Sequence, residues 1–180
     1  NGETIKGGPR VRNPPFNKEQ LEKIVEEYPT PFHIYDEAGI RKNVLRLQEA
    51  FAWNKGFREY FAVKALPNPV IMKLLFEMGC GMDCSSLTEL MLARAVGITG
   101  TDVMFSSNDT PAEEFRLARE MGVLVNLDDI TLIPFLAENG GIPKTICCRL
   151  NPGGEYMLGN TIMGNPGEAK YGFTRPQLTE

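Results

Sequence analysis

The sequence predicts an α/β protein, a parallel (β/α) barrel of the TIM type, with about six of a barrel's eight βα units inside 180 residues. Three observations carry this. Short β-branched and aromatic runs alternate with segments of helical period, the pattern of parallel βα units whose helices cover the sheet. No G-x-G-x-x-G follows the first strand, as an open, doubly wound dinucleotide-binding sheet would have it. Polar residues collect where the strands end, which in a barrel is the rim that carries the active site: Lys64, Asp83, Ser106, Ser107, Asn108, Asn126, Asp128 and Arg149.

Residues 1–17 hold three glycines and three prolines without periodicity and read as an irregular arm. Asn17 can cap a helix over 18–27, with Leu21, Ile24 and Val25 on one face, and Pro29 and Pro31 end it. Residues 1–29 are therefore expected as an arm and helix, and 30–180 as the partial barrel. Strand 32–35 precedes a helix over 37–52 in which Ile40, Val44, Leu45, Leu47 and Phe51 recur at helical spacing. Four further pairs follow: 60–63 with 69–78, 81–84 with 87–96, 103–105 with 111–121, and 124–126 with 130–138. A sixth strand at 145–150 leads into a long Gly-rich loop and a helix at Pro176. A complete barrel takes about 250 residues, so two units are expected to lie outside the chain. The first residue, Asn1, is not methionine, so the true start is expected to lie elsewhere as well.

Composition narrows the function. A net charge of -4 with dispersed charges gives no reason to expect nucleic acid or an anionic membrane as partner. There is no apolar run of about 20 residues and no signal-peptide pattern, so a cytoplasmic protein is the expectation. Cys80, Cys84, Cys147 and Cys148 match no C-x2-C spacing and read as small core residues in a reducing compartment. His33 is the only histidine, which argues against a His-built metal site, and it reads as a structural strand residue.

The segment 60–65 is apolar up to Lys64 and then stops. Lysine is seldom buried without a partner. Two readings are open: Lys64 emerges into solvent where the strand ends, or desolvation there keeps its amine neutral and nucleophilic, as Schiff-base chemistry on an aldehyde needs.

Tyr60-Phe61-Ala62-Val63-Lys64-Ala65 resembles the lysine motif of the fold-type III pyridoxal-phosphate decarboxylases, the group of diaminopimelate, ornithine and biosynthetic arginine decarboxylases. Thr30-Pro31-Phe32-His33-Ile34-Tyr35-Asp36 is similar to that family's first strand. Gly81-Met82-Asp83-Cys84-Ser85-Ser86-Leu87-Thr88-Glu89-Leu90 is similar to its third-strand motif. Cys148-Arg149-Leu150-Asn151-Pro152-Gly153 and Lys170-Tyr171-Gly172-Phe173 resemble two segments of the diaminopimelate branch. The resemblance implies an alanine racemase-like barrel and pyridoxal 5'-phosphate as cofactor, held by Lys64 as a Schiff base. Asp83, Glu89 and Arg149 would lie at or near that cofactor, with Asn108 and Ser85 as weaker contacts and no metal. It further implies a carboxy-lyase acting on a small amino acid, meso-2,6-diaminopimelate giving L-lysine and carbon dioxide, in a homodimer. Within the class the rival substrate is ornithine, arginine or a related polyamine precursor. Outside it, the rivals are a non-catalytic regulatory homologue and an inert fragment.

The family's H-x-G-S histidine, its glycine-rich phosphate loop with a ring-binding glutamate, its C-terminal cysteine and aspartate, and its C-terminal β-domain have no counterpart in the chain. Lys64 is accordingly expected to be one pole of a site whose phosphate and acid-donating pole lies elsewhere.

Overall fold

The computed structural model describes residues 14–153 and 171–179. The chain divides into two compact units, Asn1–Arg46 and Leu47–Glu180.

In the first unit, helix α1 spans Lys18–Glu27. Its start is the capping box that Asn17 predicts: the Gln20 amide donates to Asn17 Oδ1 (2.9 Å) and the Asn17 amide donates back to Gln20 Oε1 (2.8 Å). Residues 32–35 do not form the expected strand. A strand needs a neighbouring backbone edge to bond to, and among the described residues this stretch finds none. His33 is accordingly an exposed residue stacked on Tyr35 rather than a strand histidine. Helix α2, Glu37–Ala50, begins in this unit and ends in the second.

The second unit is a five-stranded parallel sheet, β1 Tyr60–Ala62, β2 Gly81–Cys84, β3 Val103–Ser106, β4 Leu124–Leu127 and β5 Ile146–Cys148, paired in chain order. Between them run α3 Pro69–Glu77, α4 Leu87–Val96, α5 Ala112–Met121 and α6 Leu132–Asn139. A doubly wound sheet reverses its strand order at a switch point; this order never reverses, so the sheet is an arc of a barrel. Among the described residues the strand count is five, against the six expected, because residues 32–35 drop out.

Strand alternation sorts the side chains into two sets. Met82, Cys84, Val103, Phe105, Val125 and Leu127 face the helices and are at most 1% exposed. Phe115 of α5 meets Phe105 edge-on at 6.3 Å and 87°, and Phe135 of α6 continues the contact at 6.0 Å. Each such buried side chain contributes about 1.5–3 kcal/mol. The core lies between sheet and helices, which leaves the other face of the sheet for the remaining set. Cys80 and Cys84 are core residues as expected, whereas Cys147 and Cys148 are only half-buried.

The expected helix at Pro176 is a single 3-10 turn, Pro176–Leu178. The arm up to residue 13, the loop 154–169 and Lys170 lie outside the described residues.

Candidate active site

On the face turned away from the helices, register sets Ala62, Asp83, Met104 and Leu124 in one row. The next row holds Ser106, Asn126 and Cys147. This face is mostly apolar towards its start and polar where the strands end.

Lys64 does not sit on a strand. β1 stops at Ala62, and Val63–Ala65 turn as a 3-10 helix closed by the Leu66 amide on the Val63 carbonyl (3.0 Å). Val63 is fully buried and anchors the turn, which leaves Lys64 exposed. The amine is therefore presented to solvent, which is the first of the two readings the sequence left open.

Asp83 is the one charged member of the first row, among Ala62, Met104 and Leu124. It is half-buried, and its Oδ1 is buried with no hydrogen-bond partner among the described residues. Burial pushes its pKa above the ordinary carboxylate value, and Glu89 adds to that, while the Ser106 hydroxyl and the charges of Lys64 and Arg149 pull it back. Ser106 is itself held by Asn126, whose Nδ2 donates to Ser106 Oγ at 3.3 Å. Lys64, Glu89, Arg149 and Ser106 are thus each within electrostatic reach of Asp83.

Glu89 is committed at the start of α4. Ser86 is the N-cap, accepting from the Glu89 amide (3.4 Å). The Glu89 carboxylate accepts from the Ser85 amide (2.8 Å), from Ser85 Oγ (3.1 Å) and from Ser86 Oγ (3.2 Å). This is a capping box whose acid reaches one residue further back than usual. Ser85 spends both its amide and its hydroxyl there. Asn108 stands exposed in the loop after β3 and makes no hydrogen bond among the described residues.

Arg149, just past β5, pairs with Asp128, just past β4. Nε lies 2.9 Å from Oδ1, and Nη1 donates to Oδ2 at 3.4 Å. Asp128 is 4% exposed; burial pushes its carboxyl up and Arg149 opposes that. The guanidinium carbon also lies 5.9 Å from the centroid of the Tyr171 ring. The segment 171–173 is tied on by the Gly172 amide to the Asp128 carbonyl (2.7 Å) and the Phe173 amide to the Arg149 carbonyl (2.6 Å). Gly172 has φ +95°, and a Cβ there would meet the Asn151 amide nitrogen at 2.9 Å and the Arg149 carbonyl at 3.0 Å. The resemblance at Lys170 to Phe173 thus has a physical core in that glycine.

The model of the pyridoxal-dependent decarboxylase, pyridoxal binding domain, matches residues 37–180. The chain belongs to this family. Among the relatives, protein TabA of Pseudomonas amygdali pv. tabaci is 40% identical over 160 residues, covering 89% of this chain and 37% of TabA. Diaminopimelate decarboxylase of Helicobacter pylori is 31% identical over 169 residues, covering 92% of this chain and 41% of that enzyme. The crystal structure of the Helicobacter pylori enzyme complexed with L-lysine superposes with a TM-score of 0.75 at 27% identity, over 88% of this chain and 41% of that one. The chain therefore spans about two fifths of the length of these relatives.

The residues fit a pyridoxal group. A primary amine is presented to solvent, a carboxylate oxygen is buried without a donor, and a guanidinium is fixed nearby. Ser106, Asn126 and Asp128 were legible as strand-end polar residues but not as supports for Asp83 and Arg149; counting in twos along the strands would have found the first two. Glu114 was missed altogether. It is 9% exposed on α5 and accepts from the Leu87 amide of α4 at 2.9 Å, a pairing no local pattern announces.

Proposed function

We propose that the protein to which this chain belongs decarboxylates a small amino acid with pyridoxal 5'-phosphate bound at Lys64, the substrate being meso-2,6-diaminopimelate and the products L-lysine and carbon dioxide. The observation that carries the reading is Lys64 exposed on a tight turn at the end of β1, beside a buried Asp83 oxygen that has no donor. The family match and the diaminopimelate decarboxylases among the relatives support it.

Bound there, the cofactor supplies the electron sink that loss of an α-carboxylate needs. Lys64 would hold the group through its primary amine. Asp83 offers Oδ1 to an N–H or cationic group, and such a partner offsets the cost of its burial. Arg149 supplies a fixed positive charge near Asp83. Glu89 acts through the start of α4 and through its negative charge on Asp83, with Ser85 as its anchor. Asn108 is the exposed member, free to turn toward a ligand. We place the protein in the cytoplasm as a homodimer, without nucleic-acid or membrane partners; among the described residues no helix is long and apolar enough to cross a membrane.

The test is carbon dioxide release from a panel of amino acids by the full gene product loaded with pyridoxal 5'-phosphate. Release from meso-2,6-diaminopimelate, with lysine formed in equal amount, is the expected result. Release from ornithine or arginine instead would move the substrate to the polyamine side. The higher identity to TabA, whose name specifies no substrate, is the reason for a broad panel. No release from any of them by the loaded protein would overturn the decarboxylase reading in favour of a racemase or binding role.

A further inference from the structure

The Asp128–Arg149 pair is an odd investment if stability is its purpose. Taking a carboxylate out of water costs several kcal/mol before its partner offsets any of it, and buried pairs are often no more stable than apolar replacements. Asp128 has a side chain 5% exposed, whereas that of Arg149 is 43% exposed. One partner is sunk and rigid and the other reaches outward. An outward-reaching arginine ordinarily wanders among rotamers, and exposed pairs do little to hold one. Here the planar guanidinium is held on two sides, by Asp128, with Nη1 donating to Oδ2 at 3.4 Å and Nε in ion-pair contact with Oδ1 at 2.9 Å, and by the Tyr171 ring. Its backbone is held as well, since the Arg149 carbonyl accepts from Phe173 while the Asp128 carbonyl accepts from Gly172. A fork fixed in this way presents its remaining N–H groups in one direction.

We infer that Asp128 is the positioning residue for Arg149: from the end of β4 it fixes the guanidinium at the end of β5, and through it sets how tightly pyridoxal 5'-phosphate is held. The inference rests on the proposed cofactor site at Lys64. Asp128 itself touches neither cofactor nor substrate in this scheme. Its effect passes through Arg149 alone.

That last condition makes a double-mutant cycle decisive. In the full gene product, affinity for pyridoxal 5'-phosphate is measured by titration for wild type, Asp128→Asn, Arg149→Met and the double variant, with thermal melts alongside. Asp128→Asn keeps the shape and removes the charge. It is expected to weaken cofactor binding about tenfold, the usual scale for removing a carboxylate that orients a ligand from behind. Asp128→Glu is expected to lie between wild type and Asp128→Asn. In the Arg149→Met background, Asp128→Asn is expected to change affinity no further. The same tenfold loss in that background would show a general structural effect and overturn the inference, as would wild-type affinity in folded Asp128→Asn. If Asp128→Asn does not fold, wild-type affinity in Asp128→Glu overturns it instead. Wild-type protein that takes up no pyridoxal 5'-phosphate would refute the cofactor reading itself, an outcome visible before any variant is made.

Discussion

Replacing Asp83 by asparagine should make the protein more stable and its cofactor weaker. Oδ1 of Asp83 is buried with no donor, and burial is the largest influence on its carboxyl, pushing the pKa up. A buried polar atom without a partner costs about 1–3 kcal/mol, and more when it is charged. Ser106, Lys64 and Arg149 offset part of this. An amide at the same place keeps the shape and sheds the charge, so Asp83→Asn should gain about 1 kcal/mol at neutral pH, since the neutral group pays the lower end of that range. For a domain of this size that is a rise in Tm of about 2–4 °C. The sign of the pH dependence follows from the raised pKa. The native state holds the Asp83 proton more tightly than the unfolded chain, whose value is near 3.8. The wild-type contribution is thus fully present below that pH and is lost as pH rises through the folded value. The stability difference between variant and wild type should widen over the same interval and then level off. Urea denaturation of both proteins across a pH series measures it, with cofactor titration in parallel. A variant less stable than wild type at neutral pH would mean that the carboxylate is satisfied in the native state, and the reading of Asp83 as a strained binding group would fail.

Gly172→Ala should destabilise by about 2 kcal/mol or more, because alanine is strained at φ +95° and its Cβ would press on two backbone atoms; an unchanged urea midpoint would show that the 171–173 segment is not held as described. Cys84, fully buried with its thiol pushed up to about 12, should resist maleimide at pH 8 in the native protein. Half-buried Cys147 should react first, and peptide masses showing Cys84 modified as fast would contradict the packing of β2.

Periodicity made the helices and central strands legible because both report burial. Asn17 marked the start of α1 by local chemistry, which is why that boundary agrees with the structure. Residues 32–35 have a strand's composition, yet a strand is a relation between two backbones, and sequence names only one of them. Lys64 illustrates a similar limit. The apolar run before it was visible, but whether the chain continues straight or tightens into a 3-10 turn after Ala62 decides whether the amine is sunk or exposed. Glu89 was expected near the cofactor by resemblance alone, and its hydrogen bonds lie at the start of α4. The Asp128–Arg149 and Glu114–Leu87 contacts join residues 21 and 27 positions apart, a distance over which no spacing rule operates.

The central claim is that Lys64 holds the cofactor. The direct measurement is to mix the gene product with pyridoxal 5'-phosphate, reduce with borohydride, digest, and locate the added mass. A single modified peptide carrying the pyridoxyl group on Lys64, absent from Lys64→Ala, is the predicted result. No stable label, or a label on Lys73 or another surface lysine with Lys64 untouched, would contradict it.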